Sequence, residues 1–229
     1  MKITSHGPSL TKLMRLRFVN AYLVREDDGV TLVDTMLKGS GKGILTAADD
    51  LGAPIVRIVL THAHVDHVGS VDELVAALPD AELSISRRDA RFLEGDKSLD
   101  PGEPASKLRG GYPEISSRPA RLLEPGDRIG SLEVHASPGH TPGHVSFLDT
   151  RDRTLIAGDA YSTLGGVAVT DRINPRFPLV AMSTWDPATT IDSARALRVL
   201  EPARLAVGHG AVVEDPTAAM DRALAKAGS

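Results

Sequence analysis

The 229-residue chain contains no cysteine. This absence excludes a disulfide scaffold, thiolate ligation of zinc or an iron–sulfur cluster, and catalysis by a cysteine nucleophile. Histidine is the other common borderline-soft metal ligand, and the chain has eight histidines. A metal site in this chain is therefore expected to use imidazole and carboxylate groups.

Long apolar runs and an excess of basic residues are also missing. No stretch approaches the ~18 apolar residues that a membrane-spanning helix requires. Lys12, Arg15 and Arg17 interrupt the apolar residues near the N-terminus, so no signal-peptide core forms. The formal net charge of −4 provides no basic surface for nucleic acid or an anionic membrane. We therefore predict a cytoplasmic protein that acts on a small molecule, without nucleic-acid or membrane partners.

Alternating strand and helix patterns predict one α/β domain over residues 1–229. Predicted strands cover residues 18–24, 30–34, 55–60, 82–86, 132–136, 144–148, 154–156 and 204–207. Predicted helices cover residues 39–51, 71–78, a segment ending near 93, 186–200 and 215–227. Ser70 and Glu73 fit a capping box at the second helix. The alternation indicates α/β layers around a mixed-sheet core, with irregular insertions near 94–118 and 165–184.

The most informative motif follows the predicted interior strand at residues 55–60. His62, His64, Asp66 and His67 form an HxHxDH pattern there. After a strand, alternate residues such as His62 and His64 can point to the same side. Asp66 and His67 stand where the chain enters the next helix, close enough to face a second metal. Imidazole with carboxylate matches Zn²⁺, Fe²⁺ or Mn²⁺, and a surface loop of hydrogen-bonded histidines is the alternative.

Three further ligand-type residues each follow a predicted strand. His140 lies in a Pro/Gly turn, Asp159 follows Gly158, and His209 stands between two glycines. Glycine lets the backbone approach a crowded site closely, and α/β folds bind ligands at strand ends. We therefore expect these side chains to join the HxHxDH motif, although an aspartate at a strand end is also a common turn former.

The ordered set of HxHxDH, His140, Asp159 and His209 resembles the metallo-β-lactamase-fold hydrolase superfamily. The similarity extends to the opening hairpin, where residues 20–24 (NAYLV) and 32–35 (LVDT) match the superfamily's pattern. It is greatest for the small single-domain branch and for glyoxalase II-type and lactonase-type enzymes. The resemblance implies an αββα sandwich with metals at one edge of the sheets.

The resemblance also implies how the ligands divide between two metals. The first metal is expected on His62, His64 and His140. The second is expected on Asp66, His67 and His209, with Asp159 as the bridge between them. Two features depart from the superfamily. Met36 stands where glycine is usual, and residues 210–229 do not resemble the glutathione-binding region of glyoxalase II.

Two cations that share a water would make hydroxide available as a nucleophile at neutral pH. Asp66 is the candidate to take and return the proton. Tyr161, two residues after Asp159, is a candidate hydroxyl donor to a substrate oxygen. Asp34 is either a hydrogen-bond acceptor for a ligand histidine or a turn-capping residue. The remaining histidines, His6, His135 and His144, are not predicted to be ligands.

The two irregular insertions are expected to contact the substrate. In the first, Lys107, Arg109 and Tyr112 form either an anion-binding lid or part of a solvated loop. The second supplies apolar side chains for a pocket wall, the core or a homodimer interface, namely Leu164, Val167, Phe177, Leu179 and Trp185.

Together these features predict a zinc-dependent hydrolase with two Zn²⁺ ions that cleaves a small ester, lactone or thioester. Iron or manganese is an alternative to zinc because the donor set suits all three metals. The alternative function is a mononuclear iron persulfide dioxygenase of the same superfamily. A β-lactamase is disfavoured because no export signal is present, and a phosphodiesterase acting on nucleic acid is disfavoured by the acidic charge balance.

Overall fold

Two β-sheets packed face to face form the centre of this computed structural model, which describes residues 1–173 and 178–228. Strands of the first sheet follow chain order and are β1 (Lys2–His6), β2 (Leu10–Arg15), β3 (Val19–Glu26), β4 (Gly29–Val33), β5 (Ile55–Val59), β6 (Glu82–Ser86) and β7 (Arg121–Leu123). Pairs from β1 to β4 are antiparallel, whereas β4 to β7 run parallel. The parallel strands place the loops after their carboxyl ends at one edge of the sheet.

The second sheet is built from the C-terminal half of the chain. Its strands are β8 (Arg128–Ile129), β9 (Leu132–Ala136), β10 (Val145–Asp149), β11 (Thr154–Ile156), β14 (Arg204–Ala206) and β15 (Val213–Glu214). They lie in the order β15-β14-β11-β10-β9-β8, and β11 runs parallel to β14. A separate two-stranded ribbon pairs β12 (Tyr161–Ser162) with β13 (Ala168–Val169).

Helices cover the outer faces of both sheets. Their bounds are α1 (Gly41–Asp50), α2 (Val65–Val68), α3 (Val71–Ala77), α4 (Arg87–Leu93), α5 (Leu179–Met182), α6 (Pro187–Val199) and α7 (Thr217–Lys226). Ile44 of α1 and Phe92 of α4 pack on the first sheet, whereas Leu197 of α6 and Met220 of α7 pack on the second. None of the helices in the described part of the chain combines the length and hydropathy needed to cross a membrane.

Side-chain alternation along the strands separates the core into layers. On β3, Tyr22 points into the cluster between the sheets, where it shares the core with Phe147. Its neighbour Leu23 points the other way, into the cluster beneath the helices of the first sheet. On β5, Val59 likewise points into the cluster between the sheets, and Ile58 points into the cluster beneath the helices of the first sheet. The resulting order of helix, sheet, sheet and helix confirms the predicted αββα sandwich.

Several local details differ from the sequence-based expectation. The predicted capping box at the start of α3 does not form. Ser70 Oγ donates to the Leu37 carbonyl, and the Glu73 carboxylate accepts from the Gly39 amide. Both side chains therefore bind the loop that precedes α3. Strands β1 and β2 were not predicted, because basic residues such as Lys12 interrupt their alternation. The second insertion contains β13 and α5, whereas residues 94–120 contain no helix or strand.

Candidate metal centre

The seven predicted ligands come together where strands of both sheets end. His62 and His64 follow β5, and α2 carries Asp66 and His67. The other three lie in loops after β9, β11 and β14, namely His140, Asp159 and His209. Six of the seven are buried, and Asp66 is half-buried. Four segments that are distant in sequence therefore converge on one polar cluster.

One group within the cluster consists of His62, His64 and His140. One ring nitrogen of each lies within 4.8 Å of the others. His64 Nδ1 and His140 Nε2 are 3.0 Å apart. Three imidazoles that converge in this way can hold a single divalent cation in three of its four tetrahedral positions.

A second group consists of Asp66, His67 and His209. Their donor atoms also lie within 4.8 Å of one another. Asp66 Oδ2 is 3.2 Å from His209 Nε2 and 4.0 Å from His67 Nε2. This set of two imidazoles and one carboxylate suits zinc, iron or manganese.

Asp159 lies between the two groups. Its Oδ2 is 3.3 Å from His140 Nε2 in the first group. The same oxygen is 3.2 Å from His209 Nε2 and 3.6 Å from His67 Nε2 in the second. A Cβ atom on Gly208 would lie 2.1 Å from Asp159 Oδ1, so only glycine leaves room for this carboxylate. The shared position is the one that a bridging ligand requires.

The second nitrogen of every clustered imidazole is held by another part of the protein. The contacts are His62 Nδ1 with Thr61 Oγ1 (2.9 Å), His64 Nε2 with the Arg109 carbonyl (3.0 Å), His67 Nδ1 with Asp34 Oδ2 (2.8 Å), His140 Nδ1 with Thr184 Oγ1 (3.0 Å) and His209 Nδ1 with the Phe18 carbonyl (2.8 Å). Such contacts orient metal-binding imidazoles and leave the opposite nitrogen available to the cation.

Buried polar atoms at the centre of the cluster provide a test of whether cations fit. Nε2 of His62, Nε2 of His67 and Oδ1 of Asp159 are buried and make no hydrogen bond within residues 1–173 and 178–228. Burying polar atoms in this state is costly. A divalent cation held by each group would satisfy them, so the residues fit a dinuclear centre.

The electrostatics of the two groups differ. Burial lowers the pKa of His64 to about 4 and that of His62 well below its ordinary value. Burial acts in the same direction on His209, but Asp159 and Asp66 outweigh it and raise the pKa of His209 to about 10. Asp34 and Asp159 likewise outweigh burial and raise the pKa of His67. His67 and His209 would therefore have to release protons in order to hold a cation.

The first sheet holds the loop that carries His209. Asn20 Nδ2 donates to the Val207 and Gly210 carbonyls, at 2.8 and 2.9 Å. The Tyr22 hydroxyl donates to the Val207 carbonyl at 2.7 Å and accepts from the Val207 amide at 3.0 Å. These contacts explain why the Asn-x-Tyr pattern of the opening hairpin bears on the position of His209, a predicted ligand that lies almost two hundred residues away in the sequence.

Asp89 is a buried carboxylate that the sequence analysis missed. It accepts hydrogen bonds from the Ala63 amide (3.0 Å), the Thr141 hydroxyl (2.6 Å) and the Gly143 amide (2.7 Å). Ala63 separates His62 from His64, and Thr141 follows His140, so Asp89 ties together the two loops that form the first ligand group. Its position on α4 gave no signal in the sequence, because a helix commonly carries acidic residues in its first turn.

Asp89 is expected to make stability depend on pH. Burial raises its pKa to about 6 despite the three donors, whereas the unfolded value is about 3.9. The unfolded chain therefore loses this proton first, and the Asp89 contribution to the free energy of unfolding falls as pH rises from about 4 to about 6. Asp89→Asn removes this titration. We expect the unfolding free energy of the variant, minus that of the native protein, to increase by about 2 kcal/mol between pH 4 and pH 7.

Denaturant unfolding of both proteins at the same metal concentration measures this difference, in which the other titrating groups cancel. A difference that stays constant across that pH range would contradict the assignment.

The structure corrects one predicted catalytic residue. The Tyr161 hydroxyl donates to the Ala194 carbonyl at 2.8 Å, and the ring is fully buried between the second sheet and α6. It therefore points into the core and not toward the ligand cluster. The cause is that Tyr161 begins β12, where its side chain takes the face packed against α6.

Other sequence-based expectations agree with the observed contacts. Asp34 accepts from Thr61 and contacts His67, as expected of an acceptor for a ligand histidine. His144 packs beside the cluster, where its Nε2 accepts from the Asp159 amide. Met36 adopts a left-handed φ of 57° in the buried core, so the turn keeps the conformation for which glycine is the usual residue.

The first insertion lies directly over the ligand cluster. The Arg109 carbonyl contacts His64, and the Tyr112 ring meets the His64 ring edge-on, with the centroids 4.6 Å apart. Gly110, with a φ of 82°, is needed there because a Cβ atom would lie 2.4 Å from His64 Nε2. A backbone carbonyl as the partner of His64 could not be read from the sequence.

A cavity of about 320 Å³ opens beside the two ligand groups. Its lining includes His64, Asp66, His140, Asp159 and His209 from the cluster. The second insertion contributes Leu179, Val180 and Ser183, whereas Trp185 and Val167 do not line it, and Phe177 lies outside the described residues. A small molecule in this cavity would lie against the ligand residues themselves.

Comparisons with known proteins agree with this geometry. The sequence matches the family model of the metallo-beta-lactamase superfamily over residues 14–209. It is 47% identical over 230 residues to the uncharacterized protein YobT of Bacillus subtilis (strain 168), an alignment that covers 99% of each chain.

The chain is also similar to a hydrolase and to a protein whose crystal structure holds two iron ions. The chain is 32% identical over 143 residues to hydroxyacylglutathione hydrolase of Xanthomonas euvesicatoria pv. vesicatoria (strain 85-10), and the match spans 62% of this chain and 46% of that protein. The crystal structure of TTHA1623 in a di-iron-bound form superposes with a TM-score of 0.66 and 31% identity, covering 90% of this chain and 94% of the other.

Proposed function

The chain belongs to the metallo-β-lactamase superfamily, and from that premise we propose that it is a dinuclear, zinc-dependent hydrolase of small esters, lactones or thioesters. The observation that carries this proposal is the position of Asp159, whose Oδ2 faces imidazoles of both ligand groups at 3.2–3.6 Å. The hydrolase activity is supported by the similarity to a hydroxyacylglutathione hydrolase.

The residues divide into two sets that hold cations and a third set that orients them. His62, His64 and His140 would hold the first ion. Asp66, His67 and His209 would hold the second, and Asp159 would bind both. When bound, such a pair of ions supplies a water of lowered pKa as nucleophile and polarises the scissile carbonyl. Asp34, Thr184 and the Arg109 carbonyl fix the rings so that little reorganisation is needed.

Asp66 is the residue best placed to move a proton. Its side chain is 27% exposed and lines the cavity, whereas the Asp159 side chain is only 3% exposed. His67 and His209 hold its pKa below the ordinary range against the effect of burial, so the carboxylate is ionised at neutral pH. An ionised carboxylate at the cavity wall can accept a proton from the nucleophile and return it to the leaving group.

Hydrolysis assays on zinc-loaded protein test the proposal. We expect turnover of at least one class among neutral aryl esters, simple lactones and hydroxyacyl thioesters of glutathione. Removal of the metal with a chelator should abolish this turnover, and added zinc should restore it. Turnover that is unaffected by complete metal removal, or no turnover in any of the three classes, would contradict the proposed function.

The di-iron-bound form of the TTHA1623 structure supports iron as the alternative metal. With iron, the second candidate function is the oxidation of a persulfide that the resemblance to the superfamily implies. Neutral imidazole and carboxylate ligands suit Fe²⁺ as well as Zn²⁺. Oxygen uptake by iron-loaded protein supplied with a glutathione persulfide distinguishes the two functions. Uptake that exceeds hydrolysis of every ester, lactone and thioester would favour the oxidation.

A further inference from the structure

Apolar side chains form most of the cavity wall beyond the ligand cluster. They come from the start of β3 and the residue before it, the segment after β4, α2 and α5, and are Phe18, Val19, Leu37, Val65, Leu179 and Val180. Within residues 1–173 and 178–228, Ser183 is the only polar side chain of the lining outside the proposed ligands, and no lysine or arginine lines the cavity. The wall can therefore contact an apolar group of a ligand, but it has almost no side chain that could hydrogen-bond to a polar one.

This apolar wall begins at the ligand cluster and continues to the surface. The Phe18 ring stacks on the His209 ring, with centroids 6.2 Å apart and planes inclined by 29°. At the outer end, Val65 is 40% exposed and Leu179 is 54% exposed. A ligand with an extended apolar group would cover both ends at once, and covering apolar surface is favourable in proportion to its area.

From this lining we propose that the enzyme selects neutral acyl substrates with a flexible apolar chain and rejects those whose chain ends in a carboxylate. The inference rests on the hydrolase function proposed above and specifies its substrate class. The metals and their ligands bind the scissile carbonyl, which every candidate substrate shares. The discrimination therefore comes from the wall, where the acyl chain lies.

Binding of an acyl chain that carries a carboxylate is unfavourable along this wall. A carboxylate placed along the wall gives up its hydration and meets no basic side chain among the described lining residues. Burying a charged group without a partner is far more costly than burying a methyl group is favourable.

The test uses zinc-loaded protein and a series of 4-nitrophenyl esters. The acetate, butyrate and hexanoate lengthen a neutral chain, and the adipate monoester has the same chain as the hexanoate with a terminal carboxylate. Each kcat/KM is divided by the rate of alkaline hydrolysis of the same ester. We expect kcat/KM to rise about threefold per added methylene and the hexanoate to exceed the adipate monoester by at least about tenfold.

Two variants of α5 form a matched pair. Leu179 and Met182 are 54% and 53% exposed, but only Leu179 lines the cavity among the described residues. Leu179→Ala is expected to lower the hexanoate-to-acetate ratio of kcat/KM by about three- to fivefold. Met182→Ala should leave that ratio unchanged.

Three outcomes separate this inference from the function on which it rests. The inference alone would be overturned if kcat/KM were the same for all three neutral esters, or if kcat/KM for the adipate monoester equalled that for the hexanoate. It would also be overturned if Leu179→Ala and Met182→Ala changed the hexanoate-to-acetate ratio equally. Failure to hydrolyse any ester, lactone or thioester would overturn the proposed function together with it.

Discussion

Replacing His62 and His64 together by alanine is expected to abolish metal binding by the first ligand group and to lower kcat/KM by a factor on the order of 10³ or more. The two imidazoles are two of the three members of the first ligand group, and their donor atoms lie within 4.8 Å of each other and of His140. With only His140 and the shared Asp159 remaining, the first group cannot complete a tetrahedral site. Elemental analysis of the purified variant and steady-state kinetics measure the two effects.

The chain provides a matched control for this double variant. His6 and His135 are two histidines outside the ligand cluster, and replacing both by alanine removes the same number of imidazoles. This control should keep its bound metal and its activity. Equal metal content in the two double variants would show that His62 and His64 are not ligands.

Asp159→Asn is expected to have the second-largest effect. Asparagine keeps the size of the side chain but removes the charge that faces imidazoles of both groups, from His140, His67 and His209. It also replaces one carboxylate oxygen by an NH₂ group, which cannot bind a cation. We expect the loss of at least one bound metal and a decrease in kcat/KM on the order of 10³.

Asp192→Asn is the matched control for the Asp159 variant. Asp192 lies on α6 with a side chain that is 76% exposed and paired with Arg195, so the same chemical change there should leave metal content and activity intact. Circular dichroism of both variants verifies that the fold persists. An Asp159→Asn protein that holds two metals as firmly as the native chain would refute the bridging role.

The clustering of the seven proposed ligands could be predicted from the sequence because its signals are local. The HxHxDH motif places four ligand-type residues within six positions directly after a strand. His140, Asp159 and His209 each follow a strand and stand next to glycine or a Pro/Gly turn. The fold brings strand ends together, so residues with these local marks meet even though the chain separates them.

Apart from the contact of Asp34 with His67, the supporting contacts could not be predicted, because they depend on tertiary packing. The partners of His64 and His209 are backbone carbonyls of Arg109 and Phe18, and a carbonyl leaves no trace in the residue type. Asp89 resembles an ordinary acidic residue of a helix until the fold places it against Ala63 and Gly143. Each of these contacts joins segments that are more than twenty residues apart.

Tyr161 illustrates the converse error. Its distance of two residues from Asp159 suggested a hydroxyl near the substrate, but proximity along the chain does not determine the direction of a side chain. Because Tyr161 begins a strand that packs under α6, its hydroxyl bonds to Ala194 in the core. Leu179, which lies eighteen residues beyond Tyr161 in the chain, reaches the cavity instead.

The most direct test of the dinuclear centre is the metal content of protein purified without added metal, measured by elemental mass spectrometry. Two complete ligand groups that share Asp159 predict close to two divalent ions per chain, with zinc as the main element. About one iron per chain with little zinc, or no bound metal even after incubation with zinc, would contradict the dinuclear zinc centre.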